Sequence, residues 1–172
     1  GTGIEFVRVD LDGCPVIPAC PEYIVSTDLC TTLGLDNICK VSTVEHLISA
    51  LIGTGIHNAT ICVNAGEVPV LDGSALEFVK SFKEVGICKQ PEEQRLIRVK
   101  KRIASNQNDQ FMVIEPWEDP EDTRLIIDCS IDFCESPVIG KQSFSWEFSL
   151  ENYQQLYKAR TFCQLKTVQY MH

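Results

Sequence analysis

The chain has 172 residues, 44% of them hydrophobic and 23% charged, which suits a soluble globular protein of one ordinary domain or two small lobes. Its formal net charge of −9 argues against nucleic-acid binding, because neutralising phosphates takes a surplus of Lys and Arg. No apolar run reaches the roughly 18 residues of a transmembrane span, and the start at Gly1-Thr2-Gly3 has no signal-peptide character.

In chain order, Ile4 to Val9 alternates loosely and predicts a strand. Asp12-Gly13 and the prolines Pro15, Pro18 and Pro21 break the chain into turns and an edge segment. Tyr23 to Ser26 and Cys30 to Leu33 are short strand candidates. Ser42-Thr43-Val44-Glu45 fits a capping box opening a helix, with Val44, Leu47, Ile48 and Leu51 at helical spacing and Gly53 and Gly55 at its end. Asn58 to Val63 predicts a strand. Ser74-Ala75-Leu76-Glu77 repeats the capping-box pattern before a helix with Ala75, Phe78, Val79 and Phe82 on its apolar face.

The polar stretch Lys89 to Gln94 marks a lobe boundary, giving a first lobe over 1–88 and a second over 89–172. The second lobe offers strands at Leu96–Lys101, Phe111–Glu115, Leu125–Ile131 and Ser143–Phe148. A helix capped by Ser149 follows, with Leu150, Tyr153, Leu156 and Tyr157 as its buried stripe. Lys166 to His172 starts a further element. Helices and strands in this order predict an α+β fold. Nine cysteines without a Cys-x-x-Cys pair read as free thiols in a reducing cytoplasm, with Cys62 and Cys129 as small core residues.

On the helix after Ser42, steps of about 100° put His46 nearly opposite the apolar stripe. Its neighbours there are Ser49, Ala50 and Gly53, where a solvated face would carry Lys, Glu or Gln. Small residues around one His predict close packing by another segment, with His46 facing a cleft. Two readings stand side by side. The capping box accounts for Glu45 and plain packing for His46; or the pair is a metal ligand beside a general base, since zinc lowers the pKa of bound water to about 7 and a carboxylate can take its proton.

The run from Ser42-Thr43-Val44-Glu45-His46-Leu47 through Gly55-Ile56, Asn58 and Val68-Pro69-Val70-Leu71-Asp72-Gly73-Ser74-Ala75 resembles the zinc-dependent UDP-3-O-acyl-N-acetylglucosamine deacetylase family of lipid A biosynthesis. Thr2-Gly3-Ile4, Arg8-Val9-Asp10-Leu11, Cys30-Thr31-Thr32-Leu33, Ile131-Asp132-Phe133, Gly140-Lys141-Gln142 and Ala159-Arg160-Thr161-Phe162 match in order. The resemblance implies two lobes, each a sheet packed with helices, forming a two-domain α/β sandwich with the active site between lobes. It implies that His46 is one of three zinc ligands and Glu45 the base that activates water. It gives the Thr161 hydroxyl to the oxyanion, Asp132 and Phe133 to the uridine, and Phe162 to the cleft wall. The reaction implied is hydrolytic removal of acetate from the sugar 2-amine.

The remaining family ligands form a His-x-x-x-Asp pattern, and a later His is the general acid. None of His46, His57 and His172 begins such a pattern. His57 lies eleven residues after His46, roughly 16 Å along a continuous helix, so it does not replace a ligand. Cys163-Gln164 stands where the family has Gly-Phe. The chain is therefore read as a fragment of a working enzyme, inactive alone. The alternative is a non-catalytic paralogue that binds a nucleotide-sugar or a protein partner. Some family members carry a fused dehydratase, of which this sequence shows nothing.

Overall fold

In the computed structural model, the described residues are 2–93, 96–119 and 121–163. They divide into two compact units, one up to Gln90 and from Ser149 onward, the other Pro91–Phe148. The boundary falls close to the polar stretch after Lys89. Residues 149–163, expected in the second lobe, pack within the first unit instead.

In the first unit, β1 (Ile4–Arg8) is the centre of a three-stranded sheet. It pairs antiparallel with β2 (Val16–Pro18) and parallel with β6 (Ala59–Val63), placing Phe6 between Ile17 and Ile61. A second sheet holds β3 (Ile24–Ser26), β4 (Thr32–Gly34) and β5 (Lys40–Val41), all antiparallel. Helices α1 (Glu45–Gly53) and α2 (Leu76–Val85) pack with them. One apolar cluster joins these elements: Phe6 and Ile17 from the first sheet, Leu33 and Val41 from the second, Val44, Leu47 and Leu51 from α1 and its lead-in. Phe78 and Phe82 of α2 are partly buried against it. The helical spacing read from the sequence is therefore the spacing that packs. The α+β class holds.

The Arg8 guanidinium is buried and closes one end of this core. It pairs with Asp10 at 2.7 Å and donates to the Lys40 carbonyl at 2.6 Å, tying β1 to β5. The Asp10 hydrogen bond outweighs burial and raises the Arg8 pKa.

The second unit contains two antiparallel pairs, β7 (Ile103–Gln107) with β8 (Gln110–Ile114) and β9 (Ile126–Phe133) with β10 (Gly140–Glu147). Leu96–Lys101 is not a strand; the pairing begins later, at Ile103. The second unit holds no helix among the described residues. The helix expected after Ser149 is a short 3-10 turn, Asn152–Gln155, in which Tyr153 is the buried residue. Ser149 is not its N-cap, a place taken by Glu151 without a side-chain bond, though the Ser149 hydroxyl accepts from the Asn152 N–H at 3.0 Å.

Cys62 and Cys129 are exposed, contrary to their assignment to the core. On β6 the inward positions are Ala59, Ile61 and Val63, so the two-residue period turns Cys62 outward. All nine cysteines are free thiols. No helix among the described residues is long and apolar enough to cross a membrane. Lys166 to His172 lies outside the described residues.

Candidate active site

The approach to α1 is held by tertiary contacts rather than by a local cap. The Ser42 N–H donates to the Gly66 carbonyl at 2.9 Å, and the Val68 N–H returns to the Ser42 carbonyl at 3.0 Å. The Ser42 hydroxyl is paired with Thr32 at 2.9 Å. Thr43 then adopts φ 57°, the left-handed region that costs a β-branched residue about 1–2 kcal/mol. Its hydroxyl donates to the Glu67 carboxylate at 2.7 Å. The helix starts one residue after Val44, which caps it without a side-chain bond.

The predicted capping box therefore does not form. Glu45 reaches outward and accepts a hydrogen bond from the Thr31 N–H, just before β4. Its second carboxylate oxygen has no partner among the described residues, so the Thr31 amide orients the group and leaves one oxygen open. The second capping box is also incomplete. The Ser74 hydroxyl accepts from the Leu76 N–H at 3.2 Å, but Glu77 pairs with Lys80 instead of returning to Ser74.

His46 follows on the same turn, half-buried and outside the apolar cluster. Its Nδ1 is fully buried and has no hydrogen-bond partner among the described residues. A buried nitrogen left without a partner costs about 1–3 kcal/mol. A metal ion, a proton donor or, for the tautomer protonated there, an acceptor would remove that cost, so the ring is compatible with the role of one zinc ligand among other roles. Among the described residues no three His, Cys, Asp or Glu side chains gather to complete a metal site. A catalytic zinc takes three protein ligands. His57 is exposed on the loop after α1.

The small-residue face beside His46 is covered as its composition predicts. Tyr153 lies against it, and a Cβ at Gly53 would overlap the aromatic ring. The Tyr153 hydroxyl is 2.7 Å from that of Ser49. From there the chain continues to Tyr157, whose ring centroid is 5.8 Å from that of Tyr153 and 5.5 Å from the Lys83 ammonium of α2. It then reaches the loop before α2. Arg160 pairs with Asp72 at 3.2 Å, and the Thr161 N–H donates to the Gly73 carbonyl at 2.8 Å. Leu71 and Gly73 have φ 52° and 79°, so a second strained turn receives this segment. Asp72 is held below the usual carboxylate range, first by the Ser74 hydroxyl, then by the Ser74 N–H and Arg160. Thr161 and Phe162 are both exposed at this anchor.

Asp132 and Phe133 lie in the second unit, at the end of β9, as expected for residues ending a strand. Asp132 is exposed opposite Lys141, and Phe133 is half-buried opposite Gly140. The first unit thus brings Glu45 and His46 together on one turn and fixes Thr161 on the loop at Gly73, with Phe162 exposed next to it.

Comparison with known proteins adds the decisive observation: the family model for UDP-3-O-acyl N-acetylglycosamine deacetylase matches residues 1–172. The chain belongs to this deacetylase family. It is 41% identical over 173 residues to the UDP-3-O-acyl-N-acetylglucosamine deacetylase of Colwellia psychrerythraea, covering 99% of the chain and 55% of that protein. The protein of the same name from Nautilia profundicola is 38% identical over 171 residues, covering 99% of the chain and 56% of that relative. That from Helicobacter pylori is 39% identical over 170 residues, covering 98% and 55%. The chain spans about half the length of the curated relatives it matches.

Sequence reasoning missed the supporting residues of this deacetylase-family segment: Thr31, Thr43, Glu67, Asp72 and Tyr153. For Tyr153 the one sequence signal was Gly53. A glycine inside a helix, on the face opposite the core, marks a close approach without saying what approaches.

Proposed function

We propose that this chain carries part of the active site of a zinc-dependent enzyme that removes acetate from UDP-3-O-acyl-N-acetylglucosamine in lipid A biosynthesis, acting in the cytoplasm. The observation that supports it most is the Glu45–His46 turn, where one residue carries an open carboxylate oxygen and the next a buried, unpartnered imidazole nitrogen. His46 would hold zinc together with donors from beyond the described residues. When bound, zinc lowers the pKa of a coordinated water to about 7 and polarises a carbonyl.

The chain's own groups then have defined tasks. Glu45, oriented by the Thr31 amide, takes a proton from the attacking water through its open oxygen. The Thr161 hydroxyl donates to the amide oxygen as negative charge grows on it. Water adds to the acetyl carbon, the C–N bond breaks to release acetate, and the amine leaves with the proton that Glu45 took from the water. Asp132 and Phe133 contact the uridine, with the aromatic face against the base, and Phe162 lines the cleft. With His46 as the one zinc ligand assigned among the described residues, these residues by themselves do not complete a catalytic zinc site.

The test is acetate release by the full-length parent protein and its Glu45→Ala variant. Loss of turnover with substrate binding retained supports the assignment. Full activity of Glu45→Ala removes Glu45 as the base.

A further inference from the structure

We propose that Tyr153 is a positioning residue for this site, its hydrogen bond to Ser49 fixing the segment that ends in Thr161 against the helix that begins with Glu45 and His46. The proposal rests on the deacetylase reading above.

Tyr153 meets α1 at Ser49 through its hydroxyl and at Gly53 through its ring. At Gly53 the ring occupies the place a Cβ would take, which seats it on the helix by packing. The Tyr153–Ser49 bond, 2.7 Å long, adds a directional polar tie to that seat. Its geometry suits that task. Tyr153 is 5% exposed, so its hydroxyl must find a partner, and Ser49 is the partner present. Burial keeps the phenol protonated by raising its pKa.

The segment has a second anchor seven and eight residues later, where Arg160 meets Asp72 and Thr161 meets Gly73. With one end registered on α1 and the other on the loop before α2, the Thr161 hydroxyl is held at a fixed offset from the start of α1. Ser49 is exposed, so water can replace the bond once it is broken. Its loss should therefore appear in catalysis more than in folding.

The test is a kinetic cycle in the full-length enzyme, comparing wild type, Tyr153→Phe, Ser49→Ala and the double variant, with Glu45→Gln as control. Each single variant is expected to lower kcat about 3- to 10-fold, the effect of one hydrogen bond, with KM unchanged. The double variant should lose no more than either single one. Thermal midpoints should stay within about 2 °C of wild type. Wild-type kcat in both single variants, or losses that multiply in the double, would overturn the proposal. If Glu45→Gln is inactive in that same experiment, the deacetylase reading survives the failure; if Glu45→Gln is fully active, that reading falls first.

Discussion

The main-chain N–H of Thr31 donates to the side-chain carboxylate of Glu45, so the proposed base is oriented from the strand layer rather than from its own helix. An amide in place of the acid keeps an oxygen acceptor for Thr31. Glu45→Gln should therefore fold as wild type, with denaturation midpoints unchanged, while deacetylation by the full-length protein falls about 10²- to 10⁴-fold. Urea titration and acetate release on one preparation separate the two effects.

Thr43 carries the strain at the start of α1. Its φ of 57° disfavours a β-branched side chain, and the bond to Glu67 offsets part of the cost. Thr43→Val keeps the strain and removes the bond, so it should destabilise by about 0.5–1.5 kcal/mol. Thr43→Gly removes both, and should lie within about 1 kcal/mol of wild type. Chemical denaturation would show Val below Gly; the reverse order would contradict the strain argument.

Phe6 sits fully buried on the central strand, flanked by Ile17 and Ile61. Phe6→Ala should cost about 3–5 kcal/mol, a large share of a domain's 5–15 kcal/mol. Denaturation followed by far-UV circular dichroism reads this directly.

Asp72 gives a pH dependence. Its folded pKa is depressed, chiefly by the Ser74 hydroxyl and also by Arg160, so the native state favours the ionised form. The stabilisation is present above the unfolded value of about 3.9 and is lost as pH falls through the folded value. Asp72→Asn should be less stable than wild type at pH 7, and the gap should close on acidification below the usual carboxylate range. A gap that stays constant down to pH 2 would contradict this.

Elements built on long apolar periodicity were legible in the sequence: β1, β6, α1 and α2 fall close to the expected positions, and Leu47 and Leu51 face the core as their spacing required. The short strand β5 was not, because Lys40–Val41 is too brief for a period and takes its pairing from neighbours, whereas β2 falls in the edge segment expected among the prolines. Both capping boxes misled for one reason. The pattern is local, whereas Ser42 and Glu45 found distant partners in Gly66, Thr32 and Thr31. The expected second-lobe helix failed because the Tyr153 segment is shaped by its seat on Gly53 rather than by its own stripe. Of the site, the Glu45–His46 pair and its small-residue surroundings could be read from residue types. What orients them could not, since Thr31, Glu67 and Tyr153 lie 14 residues or more away along the chain.

The central claim is that His46 offers its ring to a metal with Glu45 alongside. The most direct measurement is the zinc content of the purified full-length protein beside its His46→Ala variant, both checked for folding. The account predicts about one zinc per chain in the wild type and its loss in the variant. Equal zinc in both proteins would contradict it.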